Sequence, residues 1–152
     1  MRHVIQLMLD AGATSFDSGG CLGVDGVMTR LAAEAGLQTT AYLATDTRQT
    51  DWAALKAADT VLIRTGLGLR ERNQPLVDGV QRMYAIGLRV PSLQPRSGTW
   101  ACARIAQAQG KLDTVVVLRV KHNDGPLVIS QQARMYCLCN TARCSCRRLK
   151  IV

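Results

Sequence analysis

Residues 14–36 read TSFDSGGCLGVDGVMTRLAAEAG, and the way they divide decides the fold. Thr14–Asp17 is a short strand, and Gly19-Gly20 makes the turn out of it. Asp25–Gly36 follows as a helix, with Val27, Leu31, Ala32 and Ala35 spaced for burial on one face and Gly36 as its stop. A strand, a glycine-rich turn and a helix in this order are the opening of a β-α-β unit.

The same alternation extends outward. Upstream, residues 3–11 (HVIQLMLDA) place Val4, Leu7 and Met8 on one face of a helix that Gly12 ends. Downstream, strands are expected at Thr39–Ala44, Thr60–Thr65, Arg82–Leu88 and Asp113–Val120. Helices separate them at Asp51–Ala58, at Glu71–Gln81 (interrupted by Pro75) and at Thr99–Gln109, the last closed by Gly110. This pattern predicts an α/β, Rossmann-like fold: an open, mainly parallel sheet with helices on both faces, three layers deep. Aromatic residues make up only 4% of the chain, so the core must be aliphatic, as suits parallel strands that read as runs of Val, Leu and Ile. At 152 residues one domain is expected, over residues 1–130, followed by a tail over 131–152.

Charge separates the same two parts. The net charge is +8, but residues 1–110 hold 11 basic and 9 acidic side chains, whereas residues 111–152 hold 8 and 2. The body is nearly neutral, and the basic tail is the place to expect any contact with nucleic acid. No apolar run approaches the roughly 18–20 residues that span a bilayer. The first twelve residues read as an amphipathic helix without the features of a signal peptide, so a cytoplasmic protein is expected, with no membrane partner.

In open parallel sheets, ligands bind where strand ends lead into helix N-termini. Two turns have that character. The first, Asp17–Gly26, offers Ser18, Gly19, Gly20, Gly23 and Asp25, where glycines let the backbone approach a phosphate and the helix presents free amides. Asp25 is the expected N-cap, and a plain capped helix is the alternative reading. The second, Arg96-Ser97-Gly98-Thr99, offers two hydroxyls and a guanidinium able to hold a phosphate in bidentate fashion; again a simple capped helix is the alternative. Between them, Arg72 and Asn73 can serve a sugar or phosphate and Asp78 a ribose hydroxyl, or Arg and Asp can form a surface pair with Asn73 as a cap.

At these three places the chain resembles the SLOG superfamily. SGGCLGVDGVMTRLAAEAG is similar to that superfamily's glycine turn, shared by DprA/Smf proteins, LOG phosphoribohydrolases and YspA/YpsA-like proteins. Trp52, Ala58-Asp59, the Arg72-Asn73…Leu76-Val77-Asp78 run and Ser97–Gly110 follow in the order of the YspA/YpsA-like members, over residues 13–118. The resemblance implies a Rossmann-like fold and a nucleotide or nucleotide-derived ligand, in signal sensing. Three departures matter. The family's central strand before the first helix has no counterpart in residues 1–12, which weakens the expected affinity. Ser97-Gly98-Thr99 replaces Gly-Gly-Thr. Trp100-Ala101-Cys102 brings no glutamate where the LOG enzymes place theirs, which disfavours a phosphoribohydrolase.

Binding without catalysis is therefore the leading expectation. The alternatives are cleavage of a nucleotide N-glycosidic bond, with Asp17, Asp25 or Asp78 as carboxylate, and DprA-like nucleic-acid binding through the tail and first turn. Cys137, Cys139, Cys144 and Cys146 form two C-x-C pairs whose four thiolates could hold a zinc ion, although their spacing differs from C-x₂-C knuckles; free thiols on an unstructured tail are the alternative. Cys21 lies near a helix N-terminus, but no histidine is placed to activate it, and His3 and His122 stand alone. Exposed sheet edges make a homodimer the expected assembly, if any.

Overall fold

The computed structural model describes residues 1–87, 97–117, 119–121 and 128–130. The chain is α/β, with parallel strands in open sheets of Rossmann-like character. It forms two compact units, Met1–Val80 and Gln81–Val152. Among the described residues no helix is long and apolar enough to cross a membrane.

The first unit contains α1 (Arg2–Asp10), β1 (Ser15–Ser18), α2 (Val24–Glu34), β2 (Gln38–Leu43), α3 (Trp52–Ala57), β3 (Val61–Arg64) and α4 (Asn73–Gly79). β1, β2 and β3 pair in parallel in that order, with Phe16 beside Thr39 and Ala41 beside Leu62. Successive strand residues point to opposite faces, which places the helices. Ala41 and Leu43 meet Leu55 of α3 in a buried cluster, and α2 lies beside α3 over β1 and β2. Tyr42 points the other way, its hydroxyl so near Gly79 of α4 that a Cβ there would collide with it. Both faces of this sheet thus carry a helix.

Among the described residues one motif closes four of the five helices. Gly12, Gly36 and Gly110 sit at φ near +79°, +82° and +68° after α1, α2 and the helix Gly98–Ala108. In each case the next amide reaches back to the last turn, as Ala13 N–H does to the Met8 carbonyl at 3.0 Å. This is the Schellman geometry, which wants a residue without Cβ at its left-handed position. After α3 that position is held by Asp59 at φ +47°, with Thr60 N–H on the Leu55 carbonyl at 3.0 Å.

Four details differ from the sequence reading. α1 buries Val4 and Ile5 and leaves Leu7 exposed, because contact with α2 selects a stripe one position away from Val4-Leu7-Met8. Pro75 does not interrupt α4; it is the third residue, where the missing N–H has no helical acceptor to lose. The aliphatic run Val61-Leu62-Ile63 is exposed throughout, on a strand that among the described residues pairs on one side only. Asp25 is not the N-cap of α2; Gly23, at φ +92°, is, and the helix starts two residues early.

The second unit contains β4 (Met83–Gly87), α5 (Gly98–Ala108), β5 (Leu112–Val117), β6 (Arg119–Lys121) and β7 (Val128–Ser130). β4 and β5 pair in parallel, and Trp100 of α5 is fully buried against Ala85, Ala103 and Val115. Gly87 leaves the space that the indole fills. The single strand expected over Asp113–Val120 is divided between β5 and β6, and β6 pairs antiparallel with β7, a strand not among those expected.

Candidate functional site

β1 ends at Ser18, and the turn that follows is held almost entirely by its own polar groups. The Ser18 hydroxyl is buried and accepts from Gly20 N–H at 3.2 Å. It lies 3.3 Å from the Thr29 hydroxyl, whose hydrogen goes to the Asp25 carbonyl at 2.8 Å, so Ser18 is the donor in the pair. The Asp25 carboxylate reaches back to accept from Cys21 N–H at 3.2 Å and from Gly19 N–H. Leu22 N–H donates to the Gln49 carbonyl at 2.7 Å, and Asp51 N–H to the Gly20 carbonyl at 2.9 Å. The segment 49–51 thereby braces the turn, while the Asp51 side chain caps α3 by accepting from Ala54 N–H at 3.0 Å.

The amides of Gly19, Gly20, Cys21 and Leu22 are thus engaged within the protein. Those of Gly23 and Val24, at the start of α2, keep the unpaired character of helix N-termini. Asp25 is itself the anion seated on this turn. Burial pushes its carboxyl above the ordinary value, while the Cys21 and Gly19 amides and the charge of Arg72 hold it back. Asp17, on the opposite face of β1, is also raised by burial, moderated by a hydrogen bond with Thr40.

The most unusual group is Arg72, immediately before α4. It is 95% buried, its relative exposure being 5%. Its Nη1 donates to the carbonyls of Gly19 at 2.6 Å and Tyr42 at 2.7 Å, joining the carboxyl ends of β1 and β2. Its Nη2 lies 3.6 Å from the Cys21 sulfur. A Cβ on Gly19 would collide with this guanidinium, so the glycine makes room for an arginine of the same chain. Among the described residues Arg72 forms no ion pair, its Nε has no acceptor, and neither has the buried Nδ2 of Asn73 beside it. Buried donors without partners are rare in native proteins. At the surface, the loop after β2 carries Asp46 and Arg48, which pair at 2.7 Å, and this pairing holds the Asp46 carboxyl at about 2.

The structure therefore brings Ser18, Gly19, Gly20, Gly23, Asp25, Arg72 and Asn73 together in the first unit. Asp78 closes the far end of α4, where Gln74 donates to it at 2.9 Å. Ser97, Gly98 and Thr99 open α5 in the second unit, and Ser97 occupies the N-cap without a side-chain capping bond. Arg96, His122, Cys137, Cys139, Cys144 and Cys146 lie outside the described residues. Among the described residues no group of three or more His, Cys, Asp or Glu gathers as a metal site would require. Sequence reasoning missed the Tyr42 carbonyl and the Cys21 sulfur as neighbours of Arg72. A main-chain carbonyl carries no side-chain signature, so no local signal could have revealed the first.

Comparison with protein-family models, curated proteins and solved structures returns no match to this chain.

Proposed function

We propose that the chain binds a nucleotide or nucleotide-derived anion as a SLOG-type domain, in a sensing rather than a catalytic role. The observation that carries this reading is a pair of buried donors that have no acceptor among the described residues, Arg72 Nε and Asn73 Nδ2. Buried donors left unmet are costly, and an incoming oxyanion would satisfy these two. The rest of the guanidinium is met by the Gly19 and Tyr42 carbonyls and the charge of Asp25. Arg72 stands at the carboxyl ends of parallel strands, where ligands of open α/β sheets bind. The start of α2 adds free amides and the positive end of a helix dipole.

Glycosidic cleavage fits less well. Of its candidate carboxylates, Asp25 is taken up by two amides, Asp78 lies at the far end of α4, and Asp17 is on the sheet face away from the turn. A cytoplasmic setting accords with the free thiols of Cys21 and Cys102.

Thermal shift with nucleoside mono- and diphosphates, NAD and ADP-ribose tests the proposal, with Asn73→Asp as the variant. A ligand present at 100 times its Kd adds about 2.7 kcal/mol of stability. A shift that Asn73→Asp abolishes in a still-folded chain is the expected outcome. The absence of any shift for the folded wild-type chain overturns the reading.

A further inference from the structure

β3 is the outer strand of the first sheet, bonded on one side to β2 in unbroken register from Val61 beside Thr40 to Arg64 beside Leu43. Among the described residues its other edge pairs with nothing. Val61, Leu62 and Ile63 are 53%, 42% and 38% exposed, on both faces of the strand. Parallel strands of this composition are ordinarily covered on both faces. Edge strands that remain solvated are usually guarded by a proline, a bulge or a charge within the strand. β3 has none of these; its one charge, Arg64, is at the end.

We propose that this edge pairs with β3 of a second copy of the chain, antiparallel about a two-fold axis normal to the sheet, extending three strands to six. Symmetry limits the register. Opposed residues in an antiparallel pair share a face, so a two-fold must pass through a residue position and not between two. Centring it on Leu62 sets Leu62 against its own copy and Val61 against Ile63 twice, so every apolar side chain of the strand meets another. The same register sets Thr60 opposite Arg64 at both ends. The exposed Asp59, next to Thr60, then lies one position off the exposed Arg64 of the other copy, so opposite charges share each end of the pairing. Among the described residues neither belongs to an ion pair within one chain. Aliphatic self-complementarity at the centre and opposite charges at both ends favour a second copy over an unrelated peptide.

The surface is independent of the ligand proposal, and the test needs no ligand. Sedimentation of the full chain over a wide concentration range should show a monomer–dimer equilibrium. Leu62→Lys, which opposes two like charges at the axis, should weaken it about tenfold or more while the circular dichroism spectrum is kept. Leu62→Cys should crosslink to itself on mild oxidation, because opposed antiparallel residues have Cα atoms within disulfide reach; peptide mapping would find position 62 joined to position 62. A chain that stays monomeric at all concentrations overturns the proposal. So does a dimer that survives Leu62→Lys and fails to crosslink at position 62. Protection from hydrogen exchange, in a monomer, of the β3 amides that point away from β2 would equally overturn it, by showing that the chain covers its own edge.

Discussion

The guanidinium of Arg72 and the carbonyl of Gly19 are joined by a 2.6 Å hydrogen bond across 53 residues of sequence, and the glycine's missing Cβ is what admits it. The bond fastens the chain leaving β1 to the start of α4, and its second branch to Tyr42 includes β2 in the same tie.

Gly19→Ala should expel Arg72 from this position, and Arg72→Met should leave the Gly19 and Tyr42 carbonyls without their donor. Each should cost about 2–4 kcal/mol, the range for hydrogen bonds involving a buried charge. The two should not add, because each removes the same contact: in the Arg72→Met background, Gly19→Ala should cost much less. Urea denaturation of the four proteins measures the cycle, and strict additivity would show that the glycine serves something other than the arginine.

Asp25 predicts a pH dependence of definite sign. Its folded carboxyl titrates above the unfolded value of 3.8, so the folded state holds the proton more tightly. The group's contribution is fully favourable below 3.8 and is lost as the pH rises through the folded value. Wild type should therefore gain stability relative to Asp25→Asn as the pH is lowered from neutral towards 4. Comparing the two proteins cancels the general repulsion of a chain with net charge +8. A difference that grows in the opposite direction would mean that the Cys21 and Gly19 amides outweigh burial.

Asp59 occupies the left-handed position that three other helix ends of this chain give to glycine. Asp59→Gly should relieve the strain at φ +47°, offset in part by the freer unfolded chain. The expected gain is about 0.5–1 kcal/mol, read from the denaturation midpoint at a concentration where the chain is monomeric. A loss of stability would instead reveal a favourable contribution from the carboxylate.

Much of the fold was legible in the sequence because it is specified residue by residue. The order of elements followed from aliphatic strands alternating with helical spacing, and the helix stops from Gly12, Gly36 and Gly110. Boundaries slipped where local signals compete: Asp25 has the chemistry of an N-cap, yet Gly23 can adopt the entry conformation two residues sooner. Of the candidate site, Arg72 and Asn73 were visible as residue types, but the internal role of Arg72 was not. A conspicuous arginine reads as ligand-facing until the carbonyls that claim it are in place.

By itself, then, the sequence determined the parallel α/β class, the glycine turn after β1 and the places where helices stop, since periodicity and φ requirements act over a few neighbouring residues. Only the tertiary structure decided which stripe of α1 is buried, that Val61, Leu62 and Ile63 are exposed, and that Arg72, expected to serve a sugar or phosphate or to pair at the surface, is buried against the Gly19 carbonyl. Each of these depends on what packs beside a residue from a distant part of the chain, and strand pairing and buried hydrogen bonds are selected by that packing and not by local propensity.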